Sequence, residues 1–196
     1  LQVALKYNVL SPFKDPIGLA LYIEPGYVAR DRGPGGDMDG FELETMIILQ
    51  KNFLDDTLMW YTNIFGEFAW EKIEGEYGHG WGPTVFSGLT YRFAPNWFAG
   101  VEGHWDSDFD GFQAHDFQHY DLFLGPVLHY ANQSWWATLS VQFNTESGAN
   151  TPGSSLNLDD HERLEVRLKL GFEFGAKEAK LPEIASGKSA AFVSTK

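Results

Sequence analysis

The sequence predicts an all-β fold: an antiparallel, up-and-down β-barrel that crosses a membrane. Three observations lead there. Apolar and polar residues alternate along most of the chain. Over 163–174, Leu164, Val166, Leu168, Leu170, Phe172 and Phe174 alternate with Arg163, Glu165, Arg167, Lys169 and Glu173. Successive side chains of a strand point to opposite faces, so such a run has one apolar side and one polar side. Tryptophan and tyrosine gather toward the ends of these runs, where an amphipathic ring meets a membrane interface. Finally, compact turns and longer polar connections succeed one another, as in a meander with two unlike ends.

Alternation and turn residues mark about nine strands, near 1–10, 17–30, 40–51, 57–73, 83–93, 96–106, 116–131, 134–145 and 162–174. The first sets Leu1, Val3, Leu5, Tyr7 and Val9 against Gln2, Ala4, Lys6 and Asn8. In the second, Leu19, Leu21, Ile23, Pro25 and Tyr27 oppose Ala20, Tyr22, Glu24 and Arg30. The fourth divides Leu58, Trp60, Thr62, Ile64, Phe68 and Trp70 from Met59, Tyr61, Asn63, Phe65, Glu67, Ala69 and Glu71. The eighth divides Trp135, Ala137, Leu139, Val141 and Phe143 from Trp136, Thr138, Ser140, Gln142 and Asn144. The apolar sets carry almost no charge. Contact with lipid requires this, because a charge near the bilayer midplane costs about 2–4 kcal/mol.

Connections at 11–16, 52–56, 94–95 and 132–133 are compact and rich in Pro, Asn and Asp. Those at 31–39, 74–82, 107–115 and 146–161 are longer and more polar. In outer-membrane barrels the short turns face the periplasm. The strand ending at Phe174 then runs toward the periplasm, and Leu1 lies at the outer end. Such barrels have even strand numbers and usually two periplasmic ends, so the complete barrel is expected to hold ten or twelve strands, with one to three before Leu1. Residues 1–175 form the barrel on this reading. Residues 176–196 form a periplasmic tail that is either flexible or in contact with a periplasmic protein or peptidoglycan.

Composition narrows the partners. A formal net charge of −13 disfavours nucleic acid, whose phosphates need a basic surface. No stretch approaches the roughly 18 continuous apolar residues of a membrane helix. The mean hydropathy of −0.27 does not exclude a membrane, because half of each barrel strand faces a polar interior. The chain has no cysteine, which suits an envelope protein.

The polar set predicts the lumen: Glu24, Glu42, Glu44, Glu67, Arg92, Glu102, His104, His119, Asp121, Arg167 and Lys169. In a narrow barrel, mixed charges suggest a network of ion pairs that fills the interior. The alternative is an aqueous path whose acidic bias favours cations. Trp60, Trp70, Tyr91, Trp97, Trp105, Tyr120, Tyr130 and Trp135 are expected in the aromatic girdles. His104 with Asp106, and His119 with Asp121, are i, i+2 pairs on one face, each able to offer two metal ligands or to sit hydrogen-bonded in the lumen. Asp106, Asp108 and Asp110, followed by Gly111, match the first half of a calcium loop. Phe117 stands where such a loop needs its bidentate Glu, so any calcium affinity is expected to be low. Ser87 has no histidine on its own strand, and no catalytic constellation is expected.

Four stretches resemble a group of uncharacterised Gram-negative outer-membrane barrel proteins: LSPFKDPIGLALYIEPGY at 10–27, FELETMIILQKNFLDD at 41–56, YRFAPNWF at 91–98 and DHERLEVRLKLGF at 160–172. The resemblance covers most of 1–174. It implies a porin-like barrel with further strands before Leu1, a terminal aromatic signal at Phe174, and no assigned reaction. The expected function is therefore a porin-like channel or a structural component of an envelope complex in the bacterial outer membrane. It is not expected to be an enzyme, nor to need a cofactor beyond calcium, and its surroundings are outer-membrane lipid. Two other readings stay open: a soluble β-barrel that binds an apolar ligand, and a lipid-active outer-membrane enzyme.

Overall fold

The computed structural model describes residues 1–30, 37–73, 76–148 and 152–172. These residues form β1 (Leu5–Leu10), β2 (Gly18–Arg30), β3 (Asp37–Phe53), β4 (Leu58–Ile73), β5 (Glu76–Ala94), β6 (Trp97–Phe109), β7 (Phe117–Ala131), β8 (Trp135–Ser147) and β9 (Leu164–Phe172). A 3-10 turn at Ala114–Asp116 precedes β7, and no helix among the described residues is long and apolar enough to cross a membrane. All nine strands pair antiparallel, in sequence order, in one sheet. β1 and β9 are its edges, and the sheet is not closed between them. The expected tail at 176–196, with Glu173 and Phe174, lies outside the described residues.

Residues directly opposite each other share a face. One row, from β2 to β7, reads Leu21, Ile47, Ile64, Val85, Trp105 and Leu122. The adjacent row reads Ala20, Ile48, Asn63, Phe86, His104 and Phe123, and continues to Asn144 on β8. The first row is open: Leu21, Ile47 and Ile64 are 46%, 43% and 45% exposed. The second is covered: Asn63 is 0% and Phe123 1% exposed. A flat sheet would expose both rows alike, so this sheet curls around the second.

Glycine lets the sheet bend. A Cβ on Gly100 would lie 2.0 Å from the Leu89 carbonyl oxygen, and one on Gly125 would lie 1.8 Å from that of Val141. The neighbouring backbone occupies the space that a side chain would need. Inside the curl, an apolar cluster of Ala20, Met46, Ile48, Phe65 and Phe86 lies on β2 to β5. The inner face of β6 to β9 mixes apolar residues such as Phe98, Phe123 and Val127 with a larger polar set, including His104, Asp121, Gln142 and Asn144.

Strand extends into two of the expected long connections, over 76–82 and 107–109, while 110–116 connects β6 to β7. Glu76–Gly82 pairs with Glu67–Ile73, extending β5 back to Glu76, and β6 runs on to Phe109. Gly78, Gly80 and Gly82 read as loop residues in the sequence. They take the inner positions of β5, where the Phe109 carbonyl oxygen would stand 2.7 Å from a Cβ on Gly80. The segment between β8 and β9 remains a connection, as does 110–116, and 31–36 of the first marked connection lies outside the described residues.

Candidate functional site

The polar inner face of β6 and β7 meets the β8–β9 connection in a cluster of histidines and carboxylates. Alternation places His104 and Asp106 on the inner side of β6, and His119 and Asp121 on that of β7. Asp106 stands directly opposite Asp121. The connection adds Asn157, Asp160 and His161. His161 Nε2 lies 3.3 Å from Asp106 Oδ2 and 3.3 Å from Asp121 Oδ2. His119 Nδ1 is 3.7 Å from Asp121 Oδ2, and its Nε2 is 3.8 Å from Asp160 Oδ2. One ligating atom each from His119, Asp121 and His161 falls within 4.8 Å of the others. His119 Nδ1 and Asp106 Oδ1 are buried and make no hydrogen bond.

Asp121 is fully buried, and its other oxygen is held firmly. Asn144 Nδ2 donates to Asp121 Oδ1 at 2.8 Å, and Ser147 Oγ donates to the same oxygen. Asn157 Nδ2 reaches Asp121 Oδ2 at 3.4 Å and Asp160 Oδ2 at 3.1 Å. Asn144 and Ser147 are an odd number of positions apart, so a regular strand would turn them to opposite faces. A β-bulge resolves this. Leu122 pairs with Glu146 and Phe123 with Asn144, so Thr145 is the extra residue, and the parity of β8 changes there.

A second chain of hydrogen bonds leads away from the cluster. Tyr61 donates its hydroxyl to Glu102 Oε2, and Gln142 Nε2 donates to Glu102 Oε1 at 2.9 Å. That sets the Gln142 amide, so its Oε1 accepts from His104 Nδ1 at 2.8 Å. His104 Nε2 then faces Asp106 Oδ1 at 3.6 Å and Glu165 Oε2 at 3.9 Å. His104 also stacks on Phe123, with ring centroids 4.7 Å apart. Arg167 pairs with Glu165. The hydrogen bonds tie β4, β6 and β8 together across the inside of the curl, and Glu165 of β9 faces their end.

The eleven residues expected in the lumen all take inner positions, with different roles. His104, His119 and Asp121 enter the cluster, while Glu102 anchors the Tyr61 chain. Glu24, Glu44 and Glu67 stand opposite one another in a row across β2, β3 and β4, and Glu42 is buried beside them. Arg92 is drawn to the short turn, where its Nη2 donates to the Asp55 carbonyl at 3.5 Å. Lys169 and Arg167, both half-buried, line β9.

The expected girdle residues all take outer positions. Tyr130 packs against Trp97 at 4.9 Å and Trp135 at 4.6 Å near the short turns. Near the other end, Trp70 contacts Phe41 at 5.7 Å and Phe112 at 5.3 Å. Trp81, Phe109 and Phe112 belong to that belt too, although they fell in segments read as loop. The calcium trio does not wrap around a common centre. Asp106 and Asp108 lie on extended β6, Asp106 turns to the histidines, and Asp108 and Asp110 are exposed. His161, Asn157, Asp160 and Ser147 escaped the sequence reading, since strand parity does not carry into a connection or past a bulge. The density of Asn, Asp and His over 157–161 was the available signal.

A protein-family model matches residues 1–174 of the chain, a span that contains every strand among the described residues and the whole cluster. The chain belongs to DUF6662, a family of unknown function. No curated protein and no solved structure matches it.

Proposed function

We propose that this chain forms the barrel of a bacterial outer-membrane protein, with a structural role in the envelope. One observation carries the reading. Trp60 and Trp70 on β4, and Tyr120 and Tyr130 on β7, stand ten residues apart. Ten residues span about 33 Å of strand. At a barrel tilt of about 40°, this is about 25 Å along the axis, the height of the apolar band in such barrels. Between these levels the outward positions are uncharged except Glu146, which the bulge turns outward opposite Leu122 and which accepts from the Tyr120 hydroxyl at the edge of the band; Lys51 lies at the level of Trp60. Val101, Leu124, Leu139, Leu168 and Phe172 are 55%, 54%, 41%, 63% and 62% exposed. Water would penalise so continuous an apolar surface, whereas lipid would not.

Within a bilayer the free edges of β1 and β9 also need backbone partners. A closed barrel of ten or twelve strands supplies them. The hydrogen bonds that cross from β4 through β6 to β8 favour a filled interior over a wide pore. A porin-like, cation-favouring path is the second reading, supported by the row of Glu24, Glu44 and Glu67.

Two measurements on the purified full-length protein test this. Folded into detergent or liposomes, it should migrate differently on a gel before and after heating, as a folded membrane barrel does. A protein that stays soluble and monomeric without detergent would end the membrane reading. In planar bilayers, the structural role predicts silence. Stable cation-selective steps, reduced by Glu44→Gln with Glu67→Gln, would establish the channel instead.

A further inference from the structure

We propose that His119, Asp121 and His161 bind a divalent transition-metal ion of the zinc class. The proposal does not depend on whether the sheet lies in a membrane. Two imidazoles and a carboxylate are donors that suit such an ion.

Spacing is the first argument. Ligands about 2.0 Å from a tetrahedral Zn2+ stand about 3.3 Å from one another. His161 Nε2 lies 3.3 Å from Asp121 Oδ2, and His119 Nδ1 lies 3.7 Å from the same oxygen. Charge-assisted hydrogen bonds are shorter, at about 2.7–2.9 Å. The donors converge without bonding one another, and His119 Nδ1 is buried with no hydrogen bond at all.

The surroundings are the second argument. A ligating histidine commonly gives its other ring nitrogen to a carboxylate, and His119 Nε2 faces Asp160 Oδ2 at 3.8 Å. Ligating carboxylates are hydrogen-bonded in turn, and Asp121 Oδ1 accepts from Asn144 and Ser147, leaving Oδ2 toward the histidines. Charge is the third. Asp106 and Asp121 face each other directly, and a divalent cation balances both. Three protein ligands leave a fourth position for water, beside Asp106.

The test is a Zn2+ titration of the metal-stripped, untagged full-length protein in detergent, read by competition with a chromophoric chelator. One equivalent should bind. His119→Ala and His161→Ala should each weaken binding by more than the roughly 10–100-fold typical of outer-shell changes. Asn157→Ala should fall within that range. His79→Ala and His115→Ala, at exposed histidines outside the cluster, should change nothing. No stoichiometric binding, or binding that survives loss of both cluster histidines, overturns the proposal. If the alanine variants fail to fold, His119→Gln and His161→Gln keep the polar volume and must show the same losses. X-ray absorption of the wild-type zinc complex gives a check without variants. A nitrogen and oxygen shell with imidazole scattering is expected, and its absence refutes the site.

Discussion

Asp106 and Asp121 stand directly opposite each other on neighbouring strands, with His161 Nε2 3.3 Å from a carboxylate oxygen of each. Like charges at opposed positions of a sheet repel, so the pair is destabilising unless a proton or a cation is shared between its members. The sheet supplies the two carboxylates, and the β8–β9 connection supplies the group that separates them.

Asp121 holds this corner together. Truncation by Asp121→Ala leaves Asn144, Ser147 and Asn157 without their shared acceptor and should cost about 3–5 kcal/mol. Asp106→Asn removes a carboxylate that is 20% exposed and should cost clearly less. Urea unfolding in detergent measures both. Equal losses would mean that the Asp121 hydrogen bonds carry no special weight.

The outer face separates lipid from water by one substitution. Leu124 is 54% exposed and lies midway between Tyr120 and Tyr130. Leu124→Arg should destabilise the folded protein in liposomes by about 2–4 kcal/mol. An exposed leucine on a soluble sheet would tolerate the change within about 0.5 kcal/mol. Unfolding titrations of the two proteins decide between them.

Gly125→Ala should break the curl locally. Its Cβ would overlap the Val141 carbonyl oxygen, so β8 must move away from β7, at about 1–3 kcal/mol. The Asn144 and Ser147 bonds to Asp121 lie on that same strand pair. Hydrogen exchange should therefore speed up along β8 while β2 to β4 stay protected. Uniform exchange across the sheet would contradict this.

The turn between β3 and β4 offers a gain. Leu54, Asp55 and Asp56 all have left-handed backbone, with φ of 53°, 52° and 63°. Asp tolerates that region, whereas leucine does so at a cost of about 1–2 kcal/mol. Leu54 is 67% exposed, so Leu54→Asn gives up no packing and should raise stability by up to about 1 kcal/mol. An unchanged urea midpoint would count against it.

Alternation alone determined the strands and their two faces, because each side chain's direction follows from its position in a strand, and the connections added the meander order. For that reason the outer belts and the inner polar set could be named residue by residue, from Trp60 to Trp135 and from Glu24 to Lys169. Glycine misled at Gly78, Gly80 and Gly82, where a residue that usually marks a turn instead makes room for a neighbouring backbone. The meeting of Asp106, His119, Asp121 and His161 belongs to the tertiary structure. It needs the curl at Gly100 and Gly125, the bulge at Thr145 and the path of a connection that has no period. None of these is a local property of the chain: each depends on what packs against it.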